Sequence, residues 1–321
     1  MTGATPGGGG LRAPVPRAQV DEAALLLSLS ARPVIWAGAG AIAAGAGEAV
    51  AAIAGLLAAP VVTSVSGKGL LGEDGPMIVG SLFGAPEVAR LLGGADAGLA
   101  VGTTFSGRST RNGSLPLPMQ LIQVDLDPAV FGRAYPVRLG IPGDARAVLE
   151  ALADRLSAHA VGGAGAARDQ PAEAAKVAEL RAAAKLRLAA ASGGVAGVLD
   201  ALRRAIPPAV TTVWDGQCAR WAAPLFPVAE PGTFRTPARE APAGSALATA
   251  RALAEAGPAV AVVSPAELES GQGGAGRAAV VVWDGGTVSE GALARLGDAL
   301  GDALGDVLDG NGPGVIRLGA A

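Results

Sequence analysis

Residues 32–40 read RPVIWAGAG, and this stretch decides the fold. Pro33 closes whatever helix precedes it, because proline has no amide with which to continue one. Val34, Ile35, Trp36 and Ala37 make an apolar run of strand length that passes straight into glycines. Upstream, DEAALLLSLS at 21–30 predicts a short helix with an acidic start. Downstream, GEAVAAIAGLLAA at 47–59 sets Val50, Ile53, Leu56 and Leu57 on one helical face. PVVTSVSGKG at 60–69 reads as strand then loop, and APEVARLLGGA at 85–95 as a helix closed by Gly93 and Gly94. AGLAVGTTF at 97–105 and MQLIQVDLDP at 119–128 are further strands, the second stopped by Pro128. GDARAVLEALADRLSAHA at 143–160 is a helix with Asp144 at its N-cap. Strands alternating with helices predict an α/β domain with a mostly parallel, Rossmann-like sheet over residues 21–160.

The pattern then repeats. Residues 161–170, VGGAGAARDQ, read as a linker, and 171–191 as a charged helix; together with the turn after them they make a connecting unit over 161–193. A second, reduced α/β domain is expected over 194–321. Its helices are GVLDALRRAI at 197–206 and SALATARALAEA at 245–256; its strands are VTTVWDG at 210–216, AVAVVSP at 259–265 and AAVVVWDGG at 278–286. A last helix carries Leu296, Leu300, Leu304 and Leu308 on one stripe, weakened by Gly297, Gly301 and Gly305, and GPGVIRLG at 312–319 closes the chain as a short strand. Residues 1–20 are expected to be a disordered tail without the apolar core of a signal peptide.

Composition bounds the chemistry. The 321 residues are 50% hydrophobic but only 3% aromatic, so the cores must be built from Ala, Val, Leu and Ile. The net charge of -3 argues against a nucleic-acid or acidic-membrane binder. The longest apolar stretch, Ala49 to Val62, is too short to span a bilayer, and a cytoplasmic protein is expected. One cysteine, Cys218, and one histidine, His159, exclude an intramolecular disulfide, a multi-His metal site and most Ser-His-Asp or Cys-His catalytic designs. No catalytic residue is assigned.

Candidate binding residues gather at the carboxyl ends of predicted strands, where open α/β sheets take ligands. Gly38 and Gly40 stand where a helix start can meet a phosphate, although the next glycine, Gly45, misses the GxGxxG spacing. Lys68 lies in Gly67-Lys68-Gly69, which is not a Walker A loop. Gly102 and Thr103 end another strand, and Asp125 and Asp127 the next, with Asp127 also placed to cap a turn before Pro128. The plain alternative at each position is a tight strand-to-helix turn. For Cys218 it is a small buried hydrophobe, for His159 a cation at a helix end, and for the four tryptophans core packing.

In order and approximate spacing, RPVIWAGAG, APVVTSVSGKGLLGEDGP, AGLAVGTTFSGR, LIQVDLDP and IPGDARAVLEAL resemble the central domain of thiamine-diphosphate-dependent enzymes, with acetolactate synthase and its decarboxylase relatives the closest likeness. The resemblance covers about Ala31 to Leu156. It implies a nucleotide, FAD in the synthase or ADP in oxalyl-CoA decarboxylase, among Gly38, Gly40, Lys68, Gly102, Thr103, Asp125, Asp127 and Asp144. Thr104 stands where the family often has arginine.

VTTVWDGQCARWAAPLFPVAEPGTFRTP resembles the start of the family's diphosphate-binding domain, with Asp215, Gly216, Gln217 and Trp221 in place. There the family holds thiamine diphosphate through Mg²⁺ on a Gly-Asp-Gly aspartate and a later asparagine. This sequence has Ser264-Pro265-Ala266 at the first position and Asp284 near the second, so Asp284 is the one candidate metal ligand. The family's pyrimidine-binding domain, source of the glutamate that helps form the reactive ylid, is also not expected before Asp21. The resemblance therefore implies a pseudoenzyme: an accessory or nucleotide-binding subunit in a homo-oligomer or beside a separate pyrimidine-domain chain. The alternatives are a 2-oxo acid decarboxylase or carboligase restored by that partner, and a structural scaffold.

Overall fold

The computed structural model describes residues 14–161, 169–228, 230–237, 241–271, 278–309 and 314–318. Residues 1–13 of the expected tail, 162–168 of the expected linker and the glycine-rich 272–277 lie outside the described residues.

The first domain runs α1 (Arg17–Leu29), β1 (Pro33–Ala37), α2 (Ala39–Ala43), α3 (Gly47–Leu57), β2 (Val61–Thr63), β3 (Ile78–Gly80), α4 (Pro86–Gly94), β4 (Ala97–Val101), α5 (Gly107–Thr110), β5 (Gln120–Asp125), β6 (Leu139–Pro142) and α6 (Ala145–Val161). Its six strands lie in the order β3-β2-β1-β4-β5-β6, and every pair is parallel. Strand β1 is buried along its whole length, as a strand covered on both faces requires. Helices α1 and α3 pack with α6 on one side. The chain reverses direction of travel across the sheet between β1 and β4, the switch point of a doubly wound fold.

Helix α7 (Gln170–Ala191) follows and lies against α4 and β3 of the first domain. The second domain runs α8 (Val195–Ala205), β7 (Thr211–Trp214), α9 (Ala219–Leu225), β8 (Phe234–Arg235), α10 (Ser245–Ala254), β9 (Ala259–Val263), α11 (Pro265–Ser270), β10 (Ala278–Trp283), α12 (Glu290–Asp309) and β11 (Val315–Leu318). Its sheet is also all parallel, in the order β11-β10-β9-β7-β8, with the switch point between β7 and β9. Val198, Leu199, Leu202, Leu296, Leu300 and Leu304 pack on one face of the sheet, and Leu247 and Ala250 on the other.

The expected α/β class and both parallel sheets are present. Differences lie at the margins. Helix α1 starts at Arg17, four residues before the acidic cluster, and Val20 is already buried. Strands β3, β6 and β8 and helices α2, α5, α9 and α11 are too short to carry a period that sequence can reveal.

The loop between β2 and β3 joins the domains. Gly232 donates its amide to the Gly69 carbonyl at 2.7 Å, the Ser66 and Thr236 hydroxyls are 3.1 Å apart, and Val65 belongs to the second domain's core.

Candidate functional site

Open parallel sheets bind ligands in the crevice that opens where neighbouring strands part at a switch point. This chain has two such crevices, and in each the flanking loops bond to one another.

In the first, the Gly38 amide donates to Val101 O and the Gly40 amide to Gly102 O, both at 2.9 Å. The backbones are so close that a side chain on Gly38 would sit 2.3 Å from Gly102 O. Gly102 itself has φ +54, and a Cβ there would lie 2.4 Å from the Ala41 amide. Thr103 is buried, its hydroxyl accepting from the Phe105 amide and its carbonyl from Gln123 Nε2. These glycines thus serve close loop-to-loop packing, and the Gly38 and Gly40 amides are spent within the chain.

Lys68 is 2% exposed, with its ammonium on Glu73 and 5.5 Å from the Phe234 ring. The resemblance places Lys68 around a nucleotide; in the structure an ammonium this deeply buried requires a carboxylate partner, and Glu73 is that partner. Asp127 caps the turn at 128–130 through the Ala129 amide, and Asp144 caps α6 through the Ala147 amide. Asp125, at the end of β5, accepts from the Asp127 amide, and burial raises its carboxyl above the ordinary range.

In the second crevice, Asp215 is 4% exposed and bridges β7 to β9. Its Oδ1 accepts from the Cys218 amide and its Oδ2 from the Ser264 amide, each at 2.7 Å. Gln217 donates its side-chain amide to the Asp284 carbonyl at 2.6 Å, tying the end of β7 to that of β10. Asp284 is exposed, and its carboxylate accepts from the Gly286 amide. Glu267, which the sequence reading missed, sends its carboxylate to the start of α10, accepting from Gly244 at 2.8 Å and Ala246 at 2.7 Å. A signal was present: Ser264-x-x-Glu267 is a capping-box pattern. Ser264 does cap α11, but Asp215 takes the amide that Glu267 would take in the standard box, which leaves Glu267 for α10.

Mg²⁺ and a diphosphate need several oxygen ligands and free amides. Here Asp215 already takes the Ser264 amide at the start of α11 and Glu267 the Gly244 and Ala246 amides at the start of α10, and among the described residues no three His, Cys, Asp or Glu are grouped to hold a metal ion. This donor set does not fit a magnesium-diphosphate group, and Asp284 stands as a lone carboxylate. Cys218 is buried beneath the same turn, its thiol donating to Trp283 O.

Two parallel doubly wound sheets, with the glycine loop after β1 and the Asp-Gly turn after β7, define an α/β protein with a Rossmann-like first domain. Residues 20–152 match the family described as thiamine pyrophosphate enzyme, central domain, and this part of the chain is similar to acetolactate synthase-like enzymes. A probable 2-ketoarginine decarboxylase of Pseudomonas aeruginosa is 40% identical over 185 residues, which are 58% of this chain and 32% of that protein. A probable acetolactate synthase large subunit of Methanocaldococcus jannaschii is 36% identical over 143 residues, 44% of this chain and 24% of that protein. A sulfoacetaldehyde acetyltransferase of Rhodobacter capsulatus is 38% identical over 162 residues, 48% and 28% respectively. The matched segment thus spans a third or less of these relatives. Among the described residues no single helix is long and apolar enough to cross a membrane.

Proposed function

We propose that this acetolactate synthase-like chain does not hold magnesium-thiamine diphosphate by itself and works as an accessory subunit. The observation that carries the reading is the Asp215 carboxylate on the Ser264 amide, with Glu267 on the start of α10. Both internal anions stand where a diphosphate and its metal would need free amides and free carboxylates. The same reading places a nucleotide, FAD or ADP, on the open side of the first sheet's carboxyl edge, where Thr104 is exposed and Asp125 offers an acid to a ribose hydroxyl. It places the chain in the cytoplasm, in a homo-oligomer or with a separate pyrimidine-domain chain.

The test is calorimetry of the pure chain with Mg²⁺ and thiamine diphosphate, with FAD and with ADP, beside an assay of acetolactate from pyruvate. No thiamine diphosphate heat and no turnover above the cofactor-only control are expected. Tight thiamine diphosphate binding overturns the reading. Turnover only on adding a pyrimidine-domain chain favours the restored enzyme instead.

A further inference from the structure

Between the two domains lies a cleft of about 620 Å³. Arg108 and Arg111 line it from the first domain, Arg220 and Trp221 from the second, with Phe83 and with Leu188 of α7. Among the described residues no Asp or Glu lines it, although Arg108 also borders a smaller pocket lined by Asp215 and Glu267. Among the described residues, none of the three arginines has a carboxylate within salt-bridge distance. In a chain with more acids than bases, 28 against 25, three unneutralised guanidiniums converging on one cleft are a local reversal of charge.

The cleft is built rather than incidental. Nη2 of Arg108 lies 3.1 Å from where a side chain would begin at Gly216, so the arginine reaches across from the first domain to the second. The loop that carries Arg108 and Arg111 holds three non-glycine residues in the left-handed region, Phe105 at φ +52, Arg111 at +52 and Asn112 at +55. Such conformations cost free energy and persist where the surroundings impose them. The loop is pinned in turn by the Val65 amide, which donates to Ser109 Oγ at 3.1 Å. On the opposite wall, the Arg220 guanidinium lies over the Trp221 ring, 5.6 Å from its centroid, and Phe83 lines the same cleft beside them.

We propose that this cleft binds a small organic anion with at least two negative charges at one end and a flat apolar body at the other, the charges met by Arg108, Arg111 and Arg220 and the body lying against Trp221 and Phe83. Guanidinium forks match carboxylate and phosphate oxygens alike. Because the arginines come from both domains, the bound anion bridges them. The cleft borders the second switch-point crevice, whose Gly216 and Gln217 help to line it, and the proposal does not depend on the accessory-subunit reading.

The experiment is titration calorimetry of the full chain at fixed ionic strength with 1-naphthyl phosphate, naphthalene dicarboxylate, inorganic pyrophosphate and 1-naphthol. The two naphthyl dianions are expected to bind, the tighter one naming the acid group, while pyrophosphate and naphthol, each lacking one half, bind at least about tenfold more weakly. Arg111→Ala and Arg220→Ala, both exposed positions whose loss should leave the fold intact, are each expected to weaken the preferred dianion about five- to tenfold. Arg17→Ala, an exposed charge far from the cleft in sequence, should leave binding unchanged. Equal binding by wild type and both cleft variants overturns the proposal. So does an equal loss in Arg17→Ala, naphthol binding as tightly as the dianions, or the absence of any dianion binding below millimolar concentration.

Discussion

Asp215 and Ser264 meet across the switch point of the second sheet: Oδ2 of the buried carboxylate accepts the Ser264 amide at 2.7 Å, while Oδ1 holds the Cys218 amide at the same distance. One side chain thus ties the end of β7 to the end of β9 and starts α11. Asp215→Ala leaves two amides with little access to water and no partner. It is expected to lower the unfolding free energy by about 2–4 kcal/mol, and Asp215→Asn, which keeps one acceptor, by roughly half as much. Urea denaturation followed by circular dichroism measures both; a loss under about 1 kcal/mol for the alanine variant would show that the carboxylate is not structural.

Gly38 and the glycines of α12 form a contrast among the described glycines. Gly38→Ala drives a methyl to 2.3 Å from a backbone carbonyl that cannot move without opening the β1–β4 loops. A destabilisation above about 2 kcal/mol, or insoluble expression, is expected. Gly297, Gly301 and Gly305 lie on α12 with no atom within 4 Å of an added Cβ. Alanine at each is expected to stabilise by about 0.5–1 kcal/mol, because glycine has more backbone freedom to lose in a helix. Melting temperatures of the four single variants test the contrast, which fails if Gly38→Ala melts with wild type.

Burial lowers the pKa of the Lys68 ammonium below its ordinary 10.5, an effect that Glu73 only partly offsets. The folded protein therefore binds this proton more weakly than the unfolded chain does. Its contribution to stability is present in full above 10.5 and is lost as the pH falls through the lowered pKa. Wild type should gain unfolding free energy relative to Lys68→Met as the pH is raised from neutral towards 10.5. Parallel pH profiles of the two proteins would contradict this.

Burial also pushes the Cys218 thiol well above the ordinary thiol range, with the nearby Asp215 charge adding to the effect. The thiolate is the reactive form, so a disulfide reagent at neutral pH is expected to label native protein only at the rate of unfolding and denatured protein within seconds. Rapid, stoichiometric labelling of the native chain would place Cys218 in an open cleft instead.

The sequence alone determined the α/β class, because apolar runs of strand length alternating with one-sided helices leave few other ways to bury both. It also determined the caps at Asp127 and Asp144, which act within three residues of themselves. Resemblance in the order of RPVIWAGAG, VSGKG, VGTTF and VDLDP was enough to reach the family of residues 20–152. Only the tertiary structure decided what the candidate site residues do. The Gly38 amide meets Val101, Lys68 meets Glu73 and Phe234, Asp215 meets Ser264, and Glu267 meets Gly244. Except for the Lys68–Glu73 pair, these partners lie tens of residues or more apart in the chain, and even that pair depends on a burial no local pattern reports. A carboxylate reads the same in sequence whether it awaits a metal or already holds an amide. Which of the two it does depends on distances of a few ångströms that exist only once both sheets have formed and their loops have met.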